Sequence, residues 1–162
     1  MDGLAEATGT AVEQAAEAIL NERKLFSIGL GADCAGAIAL ASLLHRGVLR
    51  ERPSLPVVEL AEHHIESVET GVNWAGQQIQ ALGQQGDVAF VFAGALGEPE
   101  IQRLAAALEQ RQVGAIWVGN RGPGLSMTVT DENVETRLTL SGALAICLAR
   151  LIDTHTFGPM GD

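Results

Sequence analysis

Short apolar runs alternate with segments of helical periodicity along most of the chain, and this alternation restricts the fold more than any other feature. Runs such as Val88–Ala93 and Ala115–Val118 are apolar at every position, as expected for strands buried on both faces. Strand–helix alternation of this kind predicts a parallel sheet covered by helices on both sides. We therefore expect an α/β fold: a three-layer α/β/α sandwich with a doubly wound parallel sheet of about five strands.

The 162 residues are enough for one domain with a sizeable core. We expect an N-terminal helix over 1–23, an α/β core over 24–130, a C-terminal helix over 131–157 and a short tail over 158–162. Within the core, strands are predicted at 24–29, 57–60, 88–93, 115–118 and, as an edge strand, 126–130. Helices are predicted at 33–46, within 62–82, and at 98–112.

The C-terminal helix is apolar nearly all round, from Leu138 through Ile146 to Ile152. A helix of this kind is buried on more than one side, and one small sheet covers a single side. We therefore predict a homo-oligomer in which a second subunit covers the remainder. The helix pattern leaves open whether the oligomer is a dimer or a tetramer.

Composition and charge restrict the kinds of molecule that this protein is expected to bind. The formal net charge of −10 argues against direct binding to nucleic acid or to an anionic membrane. Cys34 and Cys147 lie in apolar helical stretches without metal-ligand spacing, which predicts buried, reduced thiols. The N-terminus lacks the pattern of a signal peptide, and no apolar run reaches the length of a membrane span. We expect a cytoplasmic protein without a metal or cofactor.

Two loops lie where ligands bind in open α/β sheets, at the carboxyl ends of strands. The first is Gly29-Leu30-Gly31-Ala32-Asp33, and the second is Gly94-Ala95-Leu96-Gly97. A dinucleotide site is not indicated, because Cys34 replaces the third glycine of the G-x-G-x-x-G fingerprint. Taken alone, the first loop is a tight turn.

Several motifs together resemble the phosphoheptose-isomerase branch of the sugar-isomerase (SIS) family, over residues 24–158. They are the G-x-G turn followed by an Ala-rich helix, the R-P-x-x-P-like segment, Q-A-L-G, G-D-V and N-R-G-P-G. The segments E-R-P-S-L-P, A-L-G-x-x-G-D-V and L-I-D-x-x-x-F-x-x-x-x-D resemble the initiator-associating branch of that family. The resemblance implies a SIS, flavodoxin-like fold, a homotetramer, and binding to the replication initiator DnaA.

The chain departs from the family pattern at its phosphate-binding positions. The serine of the first loop falls at Asp33, and the hydroxyl-rich second loop falls at Phe92–Gly97 without a hydroxyl. A carboxylate would repel a phosphate dianion at short range, and Glu98 and Glu100 add further negative charge. We expect a vestigial ligand site in these loops, at Gly29, Gly31, Ala32, Asp33, Gly94, Ala95 and Gly97.

The resemblance also places the isomerases' glutamate base at Leu43 and their histidine at about Ile146. Isomerisation moves a proton between adjacent carbons, and neither aliphatic side chain accepts one. No catalytic residues are therefore predicted. The alternatives are a phosphosugar-binding or isomerase-like domain that holds an anion through backbone amides, and a structural subunit assembled with an active paralogue.

The tail offers a candidate protein contact. Phe157 is expected to follow the last helix, where an exposed aromatic side chain beside Thr156 suits a partner surface; the alternative is that Phe157 folds back onto its own or a neighbouring subunit. His63 and His64 are adjacent and make a poor chelate, so a surface helix start is favoured over a metal site. Trp117, within a strand, is expected in the core.

Overall fold

The structure is a computed structural model that describes residues 2–48, 50–62, 66–128 and 133–159. Helices and strands alternate through these residues as the sequence predicts. The strands are β1 (Leu25–Leu30), β2 (Val57–Glu62), β3 (Val88–Phe92), β4 (Gly114–Val118) and β5 (Leu125–Met127). The α-helices are α1 (Asp2–Leu20), α2 (Cys34–Arg46), α3 (Val68–Leu82), α4 (Glu98–Gln110) and α5 (Val134–Phe157), and a short 3-10 turn spans Gly31–Asp33.

The five strands form one parallel sheet in the order β2-β1-β3-β4-β5. Helices α1, α2 and α5 pack on one face, and α3 and α4 pack on the other. The predicted three-layer, doubly wound α/β/α fold is confirmed, including the edge position of the last strand. The sheet order reverses between β1 and β3, which places the carboxyl ends of these two strands beside a crevice.

The two cores explain why β3 is apolar at every position. Val88, Phe90 and Phe92 point to the layer of α1, α2 and α5, whereas Ala89 and Val91 point to the layer of α3 and α4. Successive side chains of a strand alternate between its faces, and both faces are covered. Apolar residues are therefore needed at each position, which is the pattern that made this strand recognisable.

Close packing fixes a glycine in the loop after β4. The ring of Trp117 is fully buried, as expected from the sequence, and its Nε1 donates to the carbonyl oxygen of Pro123 at 3.0 Å. The Cα of Gly122 lies so close to the ring that an added Cβ would overlap it. The N-R-G-P-G segment therefore wraps the tryptophan, and its glycine makes room for the indole.

The G-D-V segment holds the amino end of the sheet together. The buried carboxylate of Asp87 forms an ion pair with Nζ of Lys24 at 2.6 Å. It also accepts the backbone N–H groups of Lys24 at 3.0 Å and of Gln84 at 2.8 Å. Asp87 thus joins the entry of β1 to the turn before β3, and each charge is compensated.

Several boundaries differ from those predicted. Helix α3 begins at Val68, where Ser67 caps it by accepting the N–H of Thr70 at 3.2 Å, and β5 ends at Met127. Residues 129–130 of the predicted edge strand lie outside the described residues. Asn133 caps α5 by accepting N–H groups from the first turn. Phe157 is the last residue of α5, in agreement with the predicted helix bounds of 131–157; the expectation that it lies on a tail after the helix is wrong.

Helix α5 keeps an uncovered apolar face within one chain. Leu140, Ile146 and Leu151 are each more than two-fifths exposed, while other side chains of the helix pack on α1 and α2. Cys147 is also exposed and Cys34 is half-buried, so the expectation of two buried thiols is wrong. Within the described ranges, α5 alone is long and apolar enough to cross a bilayer by length and composition, a test that a core helix also passes.

Candidate functional site

Loops from three strands converge at the carboxyl edge of the sheet, where the sequence places the ligand site. The turn after β1 ends at Asp33, the loop after β3 begins at Ala93, and the loop after β4 begins at Gly119. A Cβ added to Gly119 would lie 3.5 Å from the backbone of Gly94. Asn120 donates through Nδ2 to the carbonyl oxygen of Leu96 at 3.0 Å, which fixes the second and third loops to each other.

The carboxylate of Asp33 reaches from the first loop into the second. The residue is 6% exposed, and its Oδ2 accepts the backbone N–H of Ala95 at 2.8 Å. Its Oδ1 faces Gly94, because a Cβ built on that glycine would lie 3.1 Å from it. The structure therefore brings together Asp33, Gly94 and Ala95, which the sequence assigned to one site.

The environment of Asp33 leaves its charge only partly compensated. Burial raises the pKa of Asp33 above its ordinary value of 3.8, against the opposing effects of the N–H groups of Ala95 and Gly94 and of the Arg137 guanidinium. Arg137 lies in the first turns of α5, and its Nη1 is 3.5 Å from the carbonyl oxygen of Gly94. The backbone N–H groups of Gly94 and Ala95 and the guanidinium of Arg137 thus act on one negative charge, which is the Asp33 carboxylate.

The other residues of the first loop shape the backbone. A Cβ on Gly29 would overlap the carbonyl oxygen of Asp33 and the Ala37 side chain, so the helix packs directly on this strand. Gly31 has φ +60°, a left-handed conformation that favours glycine, and Ala32 is exposed. Gly29, Gly31 and Ala32 therefore form the turn. The hydrogen bond to the second loop is the one that Asp33 accepts from the N–H of Ala95.

The second loop ends as a structural helix start. Gly97 caps α4 through its backbone, with Glu98 and Glu100 in the first turn. A Cβ on Gly97 would lie 2.7 Å from Oε2 of Glu100, so this carboxylate stands beside the loop. Acidic side chains stabilise a helix N-terminus by about 0.3–1 kcal/mol each. The same negative charges oppose binding of a phosphate there.

Cys34 is the remaining nucleophilic group beside these loops. Its burial raises the pKa of the thiol, and the negative charges of Asp33, Glu62 and Glu59 raise it further. A thiol with a raised pKa remains protonated at neutral pH and is a poor nucleophile. Cys34 therefore supplies neither a reactive thiolate nor a donor set for a metal.

The two residues that the resemblance aligns with the isomerases' base and acid are aliphatic and lie in different surroundings. Leu43 is half-buried near the end of α2, packed against the core, about 15 Å along the helix from Asp33 at 1.5 Å per residue. Ile146 is 48% exposed on α5. Neither side chain exchanges a proton with a substrate.

Metal binding has little support in the described part of the chain. Within residues 2–48, 50–62, 66–128 and 133–159, no group of three or more His, Cys, Asp and Glu side chains is arranged to hold a metal ion. His63 and His64 lie outside the described residues, so their interpretation as a surface helix start stays a prediction.

The candidate contact at the C-terminal end lies on an anchored helix end. Phe157 is 40% exposed, and the guanidinium carbon of Arg52 lies over its ring, 5.6 Å from the ring centroid. Arg50 donates to the carbonyl oxygens of Phe157 and Gly158, at 3.3 and 2.7 Å. Thr156 is half-buried, and its hydroxyl is shielded from solvent. Phe157 therefore folds back onto its own chain with one part of its ring and leaves the rest accessible.

Arg52 and Arg137 have functions that sequence reasoning missed. Arg52 pairs with Asp153 of α5 at 2.6 Å with both side chains almost fully buried, and it donates to the carbonyl oxygens of Leu44 and Leu43 at the end of α2. The R-P dipeptide and the L-I-D motif signalled that these segments matter, but only the fold shows that they meet. Nothing in the sequence placed Arg137 near Asp33.

The chain is similar to known proteins in both sequence and fold. No protein-family model matches the chain. It is similar to the phosphoheptose isomerase of Methylococcus capsulatus, with 27% identity over 96% of this chain and 87% of the relative. It is similar to the DnaA initiator-associating protein DiaA of Erwinia tasmaniensis, with 26% identity over 94% and 88%. Its fold matches a phosphoheptose isomerase from Francisella tularensis, with a TM-score of 0.79, 19% identity and coverage of 92% and 86%.

Proposed function

Since the chain is a homologue of the phosphoheptose isomerases of the SIS family and of DiaA, we propose that it is a non-catalytic member of that family. In this proposal it acts in the cytoplasm as an oligomeric scaffold that binds DnaA and regulates the initiation of chromosome replication. The observation that carries the non-catalytic part is the carboxylate of Asp33, which accepts the Ala95 N–H at 2.8 Å inside the loop pair where a phosphate would bind.

Chemistry at this edge supports the absence of isomerase activity. An aldose–ketose isomerisation needs a positioned base and an acid within hydrogen-bond reach of adjacent carbons. The aligned positions hold Leu43 and Ile146, and the nearby carboxyl of Asp33 is buried and bonded to backbone. The site also presents Glu98 and Glu100 to an incoming anion. Each of these features lowers affinity or removes a chemical step.

Identity to relatives does not distinguish the two family branches, because the values are 27% for the isomerase and 26% for DiaA. Support for DnaA as the partner therefore comes from the motif segments together with the loss of the isomerase residues. The motif residues Arg52 and Asp153 form a buried ion pair. The guanidinium of Arg52 also lies over the ring of Phe157. This arrangement holds an aromatic side chain at the surface in a fixed orientation, as an interface anchor requires.

Oligomerisation supplies the mechanism of the proposed scaffold. The uncovered face of α5, with Leu140, Ile146 and Leu151 exposed, suits burial against another copy of the chain. Several copies of the Phe157 surface in one assembly would then bind several DnaA molecules, and linkage raises the overall affinity above that of each contact. A wild-type protein that sediments as a monomer would contradict this mechanism.

Binding of the chain to DnaA from the same organism, immobilised on a sensor surface, tests the proposal. We expect wild type to bind, and Phe157→Ala to lose affinity by about tenfold or more, since truncating an interface anchor costs about 2 kcal/mol or more. Leu20→Ala is the matched control, because Leu20 is an exposed apolar residue on α1. Failure of wild type to bind contradicts the partner, and equal binding by Phe157→Ala contradicts the contact.

A second function is favoured by one specific observation. The N–H groups of Gly94 and Ala95 still point to a negative charge, so a phosphosugar could be held if Asp33 moved away. Thermal unfolding with sedoheptulose 7-phosphate and related sugar phosphates tests this, because a ligand that binds the native state raises its melting temperature. A structural subunit paired with an active paralogue is tested by co-expression, which would yield mixed oligomers.

A further inference from the structure

Asp33 lies in the 3-10 turn that leads into α2, and its backbone angles are helical (φ −71°, ψ −10°). A residue that caps a helix typically has an extended backbone, and here that residue is Leu30, at the start of the 3-10 turn. Within the described chain, the side chain of Asp33 makes no capping hydrogen bond and instead accepts the N–H of Ala95 at 2.8 Å. The side chain is therefore directed across the sheet edge into the loop after β3.

The groups that surround this carboxylate are those that hold a bound anion. Backbone N–H groups of a glycine-containing loop and a guanidinium are the usual partners of phosphates in proteins. Here the N–H groups of Gly94 and Ala95 and the charge of Arg137 act on Asp33. Because Asp33 is 6% exposed, its carboxylate already takes the position that a ligand anion would need.

We propose that the Asp33 carboxylate is a fixed internal anion that fills the anion-binding loop at 94–97 and excludes phosphomonoesters. Asp33 is then the residue that determines ligand selectivity at this edge: the loop retains its donors, and one side chain prevents their use by a ligand. This inference rests on the proposed function, since it gives the physical reason for the loss of phosphosugar binding. It further implies that substitution at this one position makes the backbone N–H groups of the loop available to an anion.

Replacing Asp33 should expose a working anion site. Asp33→Ser removes the charge and leaves room beside the N–H of Ala95, so inorganic phosphate should bind about tenfold more tightly or better than to wild type, a factor equal to about 1.4 kcal/mol. Amide NMR titration with inorganic phosphate at constant ionic strength measures this, and the shifts should centre on Gly94 and Ala95. Asp33→Asn, nearly isosteric, should retain the hydrogen bond to Ala95 and gain less affinity.

Glu98→Gln is the matched control, because it removes one negative charge from the exposed start of α4 at the same edge. We expect it to bind phosphate only slightly more tightly than wild type, because an exposed charge is screened and Asp33 still accepts the N–H of Ala95. The inference is overturned if folded Asp33→Ser binds phosphate no more tightly than wild type or than Glu98→Gln; the Asp33→Asn titration decides if Asp33→Ser fails to fold. Absence of binding to every variant leaves the DnaA proposal standing, whereas tight binding to wild type contradicts the non-binding part of the proposed function.

Discussion

Two buried aspartates at opposite ends of the sheet have different environments. At the amino end, Asp87 has an ammonium group at 2.6 Å and two backbone N–H donors. At the carboxyl end, Asp33 accepts the N–H of Ala95, and within the described residues it has no ion pair shorter than 4 Å. Burial raises the pKa of Asp33, with Arg137 acting only at longer range.

The difference separates a carboxylate with a charged partner from one that relies on backbone N–H groups. Asp87 joins a strand to a turn, and its charge is balanced by a partner in the same chain. Asp33 takes donors that a ligand would otherwise use, and its charge is balanced incompletely. In open α/β sheets ligands bind at the carboxyl ends of the strands, so Asp33 lies at the edge where a ligand would meet its charge, and Asp87 lies at the opposite edge.

Removal of Asp87 should have the largest effect on stability. Asp87→Ala leaves the Lys24 ammonium and two N–H groups without their acceptor, which should lower the free energy of unfolding by about 3–5 kcal/mol. Urea unfolding followed by circular dichroism measures the change. Glu69→Ala is the control, because it breaks an exposed pair with Arg103 and should change stability by about 1 kcal/mol or less. Equal effects of both variants would contradict the structural assignment of Asp87.

Asp153 is a third buried acid, and like Asp87 it forms an ion pair with a basic side chain, in this case Arg52. Arg52→Ala removes its partner at 2.6 Å and the hydrogen bonds to the end of α2. We expect a loss of about 3 kcal/mol in urea unfolding and reduced DnaA binding, because the ring of Phe157 loses its support. Unchanged stability would show that this pair does not hold α2 and α5 together.

Asp33→Asn should have a smaller effect with a distinctive pH dependence. The raised pKa of Asp33 means that the folded state binds this proton more tightly than the unfolded state. The wild-type protein therefore loses stability as the pH rises from about 3.8 through the folded-state pKa. The variant has no such titration, so its stability relative to wild type should increase with pH. At acidic pH the free energies of unfolding of the two proteins should differ by about 1 kcal/mol or less.

Urea unfolding at a series of pH values from acid to neutral measures this difference directly. Asp87→Asn provides the comparison at the other end of the sheet, where loss of the ion pair with Lys24 should lower stability at neutral pH. A stability difference between Asp33→Asn and wild type that is flat with pH would contradict a raised pKa of Asp33 in the folded state.

Glu98→Gln should have the smallest effect. The carboxylate lies in the first turn of α4, where its interaction with the helix dipole contributes about 0.3–1 kcal/mol, so the variant should unfold at slightly lower urea concentration. High salt should reduce the difference between the variant and wild type, because exposed charges are screened. A salt-independent loss would indicate a buried contact instead.

The sequence predicted the fold well because burial on both faces makes the strand pattern unambiguous. It also predicted that Asp33 and the 94–97 loop share a site, because both follow neighbouring parallel strands. The direction of the Asp33 side chain was not predictable, since its hydrogen-bond partner, the N–H of Ala95, lies 62 residues further along the chain. The position of Arg137 was missed because it depends on how α5 crosses the sheet edge, more than 100 residues after Asp33 in the chain.

Cys147 and Phe157 show a second limit of sequence patterns. A helix that is apolar all round predicts burial, but the pattern does not say whether its own chain or a second copy supplies the cover. Cys147 is exposed within one chain for this reason. Phe157 was expected in a tail because Gly158 and Pro159 end the helix, yet the arginines at 50 and 52 hold the helix end in order through that residue.

We expect that this sheet edge performs no proton transfer on a phosphosugar. Isomerisation through an enediol exchanges a carbon-bound hydrogen with solvent, so sedoheptulose 7-phosphate incubated with wild type in D₂O reports the chemistry by proton NMR. We expect no deuterium incorporation into the sugar phosphate above that in buffer alone. Enzyme-dependent incorporation with turnover would contradict it.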